Sequence, residues 1–295
     1  MLDPDIAARV STLTLQARRA VEGVLSGIHK SPHRGASVVF VEHREYRPGD
    51  DLRLLDWRAY ARNDRHYIKR FEQETQLRAS LVLDRSGSMA YGAKGATKLE
   101  HAATLLGAMA YLLIRQGDAA GVATFDRALV AEVPPRSRPV HLDAVLEALA
   151  SPASSDVRGT DLARALMAVA ERAGHRGLVA IASDLLDFDT GALAPLAHLV
   201  ARGHDVIVFH VLHPDEIDFP FADPARFIGL EGEDPLDADP SLLRESYIRE
   251  VQAFLHERRA RCTAAGARYA LARTDEAPEH TLAAVLTSTR RRGWG

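Results

Sequence analysis

Short apolar runs alternate with longer amphipathic stretches over the part of the chain that follows residue 77. The short runs are almost continuous in Val, Ile, Leu and Ala, which is typical of parallel strands covered on both faces. Strands are predicted at 79–84, 120–126, 177–184, 204–212 and 268–272, and helices at 98–116, 138–150, 160–173, 190–202, 240–265 and 279–291. This order predicts a doubly wound, Rossmann-type α/β fold with a mostly parallel sheet and helices on both faces.

The first 77 residues have a different pattern and are predicted to form an annex to an α/β domain at 78–295. Residues 4–27 have the spacing of an amphipathic helix, and the segment after it mixes aromatic residues with charges of both signs. Basic residues among aromatics can indicate nucleic-acid binding, but here acidic residues nearly cancel the arginines. The pattern therefore favours a network of ion pairs that ties the annex to the main domain.

An acidic stretch rich in proline interrupts the α/β pattern at 213–241. Residues 226–231 within it are a candidate for one additional short strand. The stretch is interpreted either as a lid that faces a partner or as a solvated connection, and the sequence does not separate these alternatives.

Composition narrows the classes of partner. The 295 residues are 46% hydrophobic and 26% charged, which suits one large domain with an annex, or two domains. The formal net charge of -3 provides no bulk attraction to nucleic acids or to anionic membranes.

The one cysteine, Cys262, excludes an intramolecular disulfide and a zinc site built from cysteines, which favours a reducing compartment. The first residues lack the features of a signal peptide, and the longest apolar run, 102–114, is shorter than a membrane span, so a cytoplasmic location is expected.

The strand predicted at 79–84 ends in a carboxylate, which is followed by two hydroxyls at alternate positions. Asp84, Ser86 and Ser88 form the pattern DxSxS, and Gly87 between the serines permits a tight turn. Hard oxygen ligands that converge on one point are what Mg²⁺ or Mn²⁺ requires. The pattern alone has little specificity, because Ser and Asp are also ordinary residues of turns and helix caps.

Two further oxygen ligands are available. Thr160 begins a predicted helix, and Asp184 ends a predicted strand, which places it at the same edge of the sheet as Asp84. A helix N-cap remains an alternative role for Thr160, and a cap of the following loop remains an alternative for Asp184.

The order of these elements resembles the von Willebrand factor A domain and its metal-ion-dependent adhesion site. The resemblance implies that Asp84, Ser86, Ser88, Thr160 and Asp184 bind Mg²⁺ or Mn²⁺. It also implies that the metal serves as a docking point for an acidic side chain of a partner protein, and that it is not a catalyst.

The segment EHREYRPGDDLRLLDWRAYARNDRHYIKRFEQET, which leads into SLVLDRSGSM, is similar to the bacterial domain-of-unknown-function family fifty-eight. Members are commonly encoded beside MoxR-type AAA+ ATPases, so the resemblance implies an adaptor without enzymatic activity, acting with such an ATPase on client proteins. A Mg²⁺-dependent phosphoesterase and a metal-free scaffold are the alternatives. Residues 187–191 are only faintly similar to a phosphatase nucleophile motif, and His210 and His213 are expected at the surface.

Overall fold

The structure is a computed structural model that describes residues 4–28, 42–45, 67–70, 77–93, 96–152, 161–173, 176–188 and 190–289. The chain divides into two compact units. Residues 29–76 form the smaller unit, and residues 1–28 together with 77–295 form the larger unit.

The described strands are β1 (Glu42–Glu45), β2 (Tyr67–Arg70), β3 (Arg78–Asp84), β4 (Ala119–Phe125), β5 (Leu129–Arg136), β6 (Leu178–Ser183), β7 (Asp205–Leu212), β8 (Ala225–Phe227), β9 (Leu236–Ala238) and β10 (Arg268–Arg273). The described helices are α1 (Pro4–Ile28), α2 (Lys98–Arg115), α3 (His141–Ala150), α4 (Leu162–Arg172), α5 (Thr190–Ala201), α6 (Pro214–Asp218), α7 (Pro240–Ala264) and α8 (Pro278–Thr289). In the smaller unit, β1 and β2 pair antiparallel.

Six strands of the larger unit form one sheet in the order β10-β7-β6-β3-β4-β5. Neighbouring strands are parallel except for β4 and β5, which are antiparallel. The prediction of an α/β fold with a mostly parallel sheet is therefore confirmed. Among the described helices, none combines the length and the apolar character needed to cross a membrane.

The apolar runs of the central strands are continuous because these strands have helices on both faces. In β3, Leu81 and Leu83 pack into a core with α1, α2, α3 and α8, whereas Val82 points to a second core with α4, α5 and α7. All three side chains are fully buried. Each contributes roughly 1.5–3 kcal/mol of hydrophobic stabilisation, so the centre of the sheet is a rigid base for the residues that follow its strands.

Strand β5 is absent from the sequence-based prediction. Its residues alternate between half-buried and exposed, and it carries Pro134 and Pro135, which argue against a strand in the middle of a sheet. As an edge strand it tolerates both prolines. Gly121 of β4 permits the close approach, because a Cβ at this position would lie 2.5 Å from the Val133 carbonyl oxygen and 2.5 Å from the Pro135 nitrogen.

Helix α1 packs with the larger unit. Leu13, Ala17, Ala20 and Val21 are buried in the same core as α2. The division of the chain therefore differs from the predicted grouping of residues 1–77, because α1 belongs with the α/β sheet and only residues 29–76 form a separate unit.

The acidic stretch at 213–241 has some regular structure. It begins with the short helix α6 and continues to a hairpin formed by β8 and β9, which pair antiparallel. The short strand expected at 226–231 is observed at Ala225–Phe227 and ends before Ile228. Phe227 stacks on Phe219 and contacts Phe221 edge to face, so the base of the hairpin is anchored by aromatic packing.

Candidate functional site

Two aspartates leave the carboxyl edge of the sheet at its centre. Strands β3 and β6 are parallel neighbours, and their register pairs Leu83 with Ala182. Asp84 is the last residue of β3, and Asp184 directly follows β6. Both residues are buried, with 2% of the surface of each exposed. The structure therefore places these two predicted site residues side by side.

The DxSxS turn brings hydroxyl groups to the same place. The Asp84 Oδ1 accepts a hydrogen bond of 2.9 Å from the Ser86 amide, and the hydroxyls of Ser86 and Ser88 lie 3.1 Å apart. The Asp84 Oδ2 accepts a hydrogen bond of 2.6 Å from Ser183 Oγ at the end of β6. Ser183 was missed by the sequence analysis, because it reads as an ordinary residue of an apolar strand.

The surroundings of Asp84 disfavour the ionised form of its carboxyl group. Burial, followed by the negative charge of Asp184, raises the pKa of Asp84 to about 7, although hydrogen bonds from Ser183 and Ser86 oppose the increase. A divalent cation beside Asp84 would reverse this effect, since it favours the ionised carboxylate.

Asp184 already has a cation beside it. Lys98 is fully buried, and its Nζ lies 2.8 Å from Asp184 Oδ2 and 2.7 Å from Glu216 Oε1. Burial by itself would raise the pKa of Asp184, but the Lys98 ammonium outweighs burial and the pKa is lowered. Burial would lower the pKa of Lys98, yet the two carboxylates raise it. The Lys98 side chain is therefore charged and holds Asp184 ionised.

The start of α2 positions this lysine. Thr97 is the N-cap, its side chain accepts from the Glu100 amide, and the Glu100 carboxylate accepts from the Thr97 amide at 3.0 Å. This capping box fixes Lys98 as the first residue of the helix. Lysine is rarely buried, so no local pattern around Lys98 predicted its role.

Thr160, the remaining predicted ligand, lies outside the described residues. The N-cap of α4 is Asp161, whose Oδ1 accepts a hydrogen bond of 2.8 Å from the Arg164 amide. Leu162, two residues after Thr160, lines the same small cavity as Asp84 and Asp184. The capping role considered for Asp184 is present in part, because its Oδ1 accepts from the Leu186 amide at 3.3 Å.

A residue of the acidic stretch completes the cavity. The cavity has a volume of about 10 Å³, about enough for one water molecule. Its lining includes Ser88, Ser183, Asp187 and Glu231. The Ser88 amide donates a hydrogen bond of 3.0 Å to Glu231 Oε1. Glu231 is far from the DxSxS turn in the sequence, so no motif predicted its position.

His210 supports the backbone beneath the site. Its Nε2 is 2.8 Å from the Asp184 carbonyl oxygen and its Nδ1 is 2.7 Å from the Tyr269 hydroxyl. Burial lowers the pKa of His210 to about 4, so the imidazole is neutral. His210 is buried, so its predicted surface location is wrong. His213 is half-buried and caps α6, with its Nδ1 accepting from the Asp215 amide at 3.2 Å.

The donor set fits a hard cation. Within the described ranges, no three His, Cys, Asp or Glu side chains are grouped so that they could hold a metal ion. A metal bound here would therefore depend on the Ser86 and Ser88 hydroxyls, on the two aspartates and on water. Carboxylate and hydroxyl oxygens suit Mg²⁺ or Mn²⁺ better than zinc, which prefers nitrogen and sulfur.

The fold and the site define a mixed α/β protein with a pair of buried aspartates at the carboxyl edge of its sheet. The chain belongs to the family described as protein of unknown function DUF58, which matches residues 42–257. It is 32% identical over 220 residues to uncharacterized proteins of Mycobacterium tuberculosis and Mycobacterium bovis, and each match covers 74% of this chain and 68% of the relative.

Among solved structures, the chain is similar to an aerotolerance-related membrane protein from Bacteroides fragilis that carries multiple mutations to serine. The identity is 19% and the TM-score is 0.48, with 74% of this chain and 100% of the other covered. It is also similar to the conserved hypothetical protein BatB from Bacteroides thetaiotaomicron, with 16% identity, a TM-score of 0.46 and coverage of 73% and 99%.

Proposed function

We propose that this protein is a metal-dependent protein–protein interaction module of the von Willebrand factor A type, without enzymatic activity of its own. Asp84, Ser86, Ser88, Thr160 and Asp184 would hold Mg²⁺ or Mn²⁺. The observation that carries the proposal is the geometry at the carboxyl edge of the sheet, where Asp84 lies buried beside Asp184 and the Ser86 and Ser88 hydroxyls, with no ion pair of its own among the described residues.

Charge balance supports a divalent ion. Asp84, Asp184 and Glu216 would carry three negative charges when ionised, and Lys98 supplies one positive charge. A divalent cation would offset the net negative charge of this cluster, to which Asp187 and Glu231 at the same cavity add, and such compensation is favourable in a buried site. When bound, it would supply an open coordination position for the carboxylate of a partner, a short and directional contact.

The partner that we propose is a MoxR-type AAA+ ATPase, or a client protein that presents Asp or Glu. The support is the family resemblance in the segment that precedes β3. The module would then couple the ATPase to the maturation or remodelling of clients in the cytoplasm.

A metal-free scaffold is the second candidate. The specific observation in its favour is Lys98, whose ammonium already neutralises Asp184 without any metal. In that case the loops at the carboxyl edge of the sheet would contact a partner directly.

Calorimetric titration with Mg²⁺ and Mn²⁺ tests the proposal on the wild type, on Asp84→Asn and on a control. The control is Asp143→Asn, which removes an exposed carboxylate of α3 that lines no part of the site. We expect Asp84→Asn to weaken metal binding by at least about tenfold, or about 1.4 kcal/mol, and the control to match the wild type.

The same proteins are then tested for capture of a MoxR-type ATPase with and without a chelator, and for turnover of p-nitrophenyl phosphate. Capture that chelation abolishes, without turnover, supports the adaptor. Capture that survives chelation supports the scaffold. Metal-dependent turnover lost in Asp84→Asn would replace both with the phosphoesterase.

A further inference from the structure

The acidic hairpin, defined here as Ala225–Ala238, reaches into the candidate metal site from outside the sheet. At its tip, Glu231 Oε1 accepts the hydrogen bond of 3.0 Å from the Ser88 amide. The preceding residue packs its carbonyl group against Gly87, where there is no room for a Cβ. Two adjacent residues of the tip therefore contact two adjacent residues of the DxSxS turn.

Glu231 lies on the solvent side of the aspartates. It is half-buried, whereas Asp84 and Asp184 are buried, and all three line the same cavity. The described contact of its carboxylate is with a neutral backbone amide, and no ion pair involving Glu231 is found in the described part of the chain. A carboxylate is thus held at the opening of a site that is proposed to receive a carboxylate.

The tip of the hairpin is held more weakly than its base. Phe227 packs against Phe219 and Phe221 at the base, where rings lie 6.1 Å and 5.5 Å apart. At the tip, Ile228 is 71% exposed and Leu230 is 49% exposed, so little apolar surface is buried there. A segment with few buried apolar contacts opens at low cost, so the tip can leave the site while the base stays in place.

The geometry points to Glu231 as an internal substitute for the partner carboxylate, which keeps the site closed until an acidic side chain from outside displaces it. This inference rests on the proposed metal-dependent docking function. It deepens that function by assigning its regulation to the acidic hairpin. The partner would compete with the chain itself, so its apparent affinity falls with the fraction of molecules that are closed.

The test uses the full chain loaded with Mn²⁺ and acetate as the carboxylate probe. Water-proton relaxation reports whether acetate displaces water from the bound Mn²⁺. The proteins are the wild type, Glu231→Gln and the matched control Asp234→Asn, which removes the same charge from an exposed position of the same hairpin. We expect acetate to bind Glu231→Gln at least about tenfold more tightly than the wild type. A tenfold difference corresponds to a wild type in which about a tenth of the molecules have an open site.

Hydrogen exchange of the backbone amides of residues 228–234 gives a second readout. Acetate at saturation should increase exchange of these amides in the Mn²⁺-loaded wild type, whereas in Glu231→Gln exchange should already be high. Equal acetate affinity in the wild type and in Glu231→Gln, with Mn²⁺ bound normally, would overturn the inference and leave the proposed function intact. Absence of Mn²⁺ binding to all three proteins would overturn both.

Discussion

Replacing Lys98 by methionine tests the electrostatics of the site most directly. Methionine retains most of the apolar stem but removes the ammonium that lies 2.8 Å from Asp184 and 2.7 Å from Glu216. Both the Lys98 and Asp184 side chains are almost completely buried, so the change leaves a carboxylate without its cation. Breaking a buried pair in this way costs on the order of 3–5 kcal/mol of unfolding free energy.

Urea denaturation at pH 7 measures this cost for Lys98→Met, for Asp184→Asn and for the double variant. We expect the two single losses to be far from additive, with a coupling energy of roughly 1–3 kcal/mol. The pair of Arg18 and Glu22 provides a control, because both side chains are more than half exposed and Arg18→Met should cost below about 1 kcal/mol.

Divalent metal adds a further arm to this experiment. If a cation binds beside the two aspartates, Mg²⁺ should stabilise Lys98→Met more than it stabilises the wild type, because it replaces part of the lost positive charge. If Lys98→Met lowers the free energy of unfolding by less than about 1 kcal/mol, the reasoning is refuted, because breaking a desolvated ion pair should leave a buried charge without its partner at a larger energetic cost.

Three other predictions concern stability. Burial lowers the pKa of His101 to about 4 despite the opposing charge of Asp275, so the contribution of His101 to stability is full above about pH 6.5 and falls as the pH drops towards 4. Between pH 7 and 5 this contribution should fall by about 2 kcal/mol, measured by denaturant titration as the difference in pH dependence between the wild type and His101→Leu, because His210 and Asp84 also titrate but do so in both proteins. Ser183→Ala should lower the free energy of unfolding by roughly 1–3 kcal/mol, because Asp84 Oδ2 and the Leu185 amide both lose a buried hydrogen-bond partner. An unchanged stability in thermal unfolding would contradict these hydrogen bonds. Gly121→Ala should cost roughly 1–3 kcal/mol because its Cβ would meet the backbone of β5, and an unchanged unfolding midpoint would show that β5 can move away.

The strands at the centre of the sheet could be predicted because burial on both faces leaves a continuous apolar run in the sequence. Strand β5 could not, because an edge strand has one solvated side and its two prolines resemble a break. The hairpin of β8 and β9 was only partly visible, since its strands have three residues each.

The candidate site was predictable where its residues follow strands. Asp84, Ser86, Ser88 and Asp184 stand at the carboxyl ends of β3 and β6, a position that the strand order indicates. Lys98 and Glu231 were not predictable, because their contacts join residues separated by 86 and 143 positions. Such pairings depend on how helices and insertions pack, which leaves no periodic pattern in the sequence.

Helix α2 is held by polar contacts at both of its ends, in addition to its packing in the core. Its first residue is clamped between the sheet and the acidic stretch by two ion pairs, and its 18 residues span about 27 Å. Just beyond its far end, Asp118 Oδ1 accepts a hydrogen bond of 3.0 Å from the amide of Leu77, the residue that follows the smaller unit in sequence. The helix is thus anchored at both ends to residues that flank strands of the central sheet, Asp184 after β6 at one end and Leu77 before β3 at the other, so it is held as a rigid strut along the sheet that carries the two aspartates.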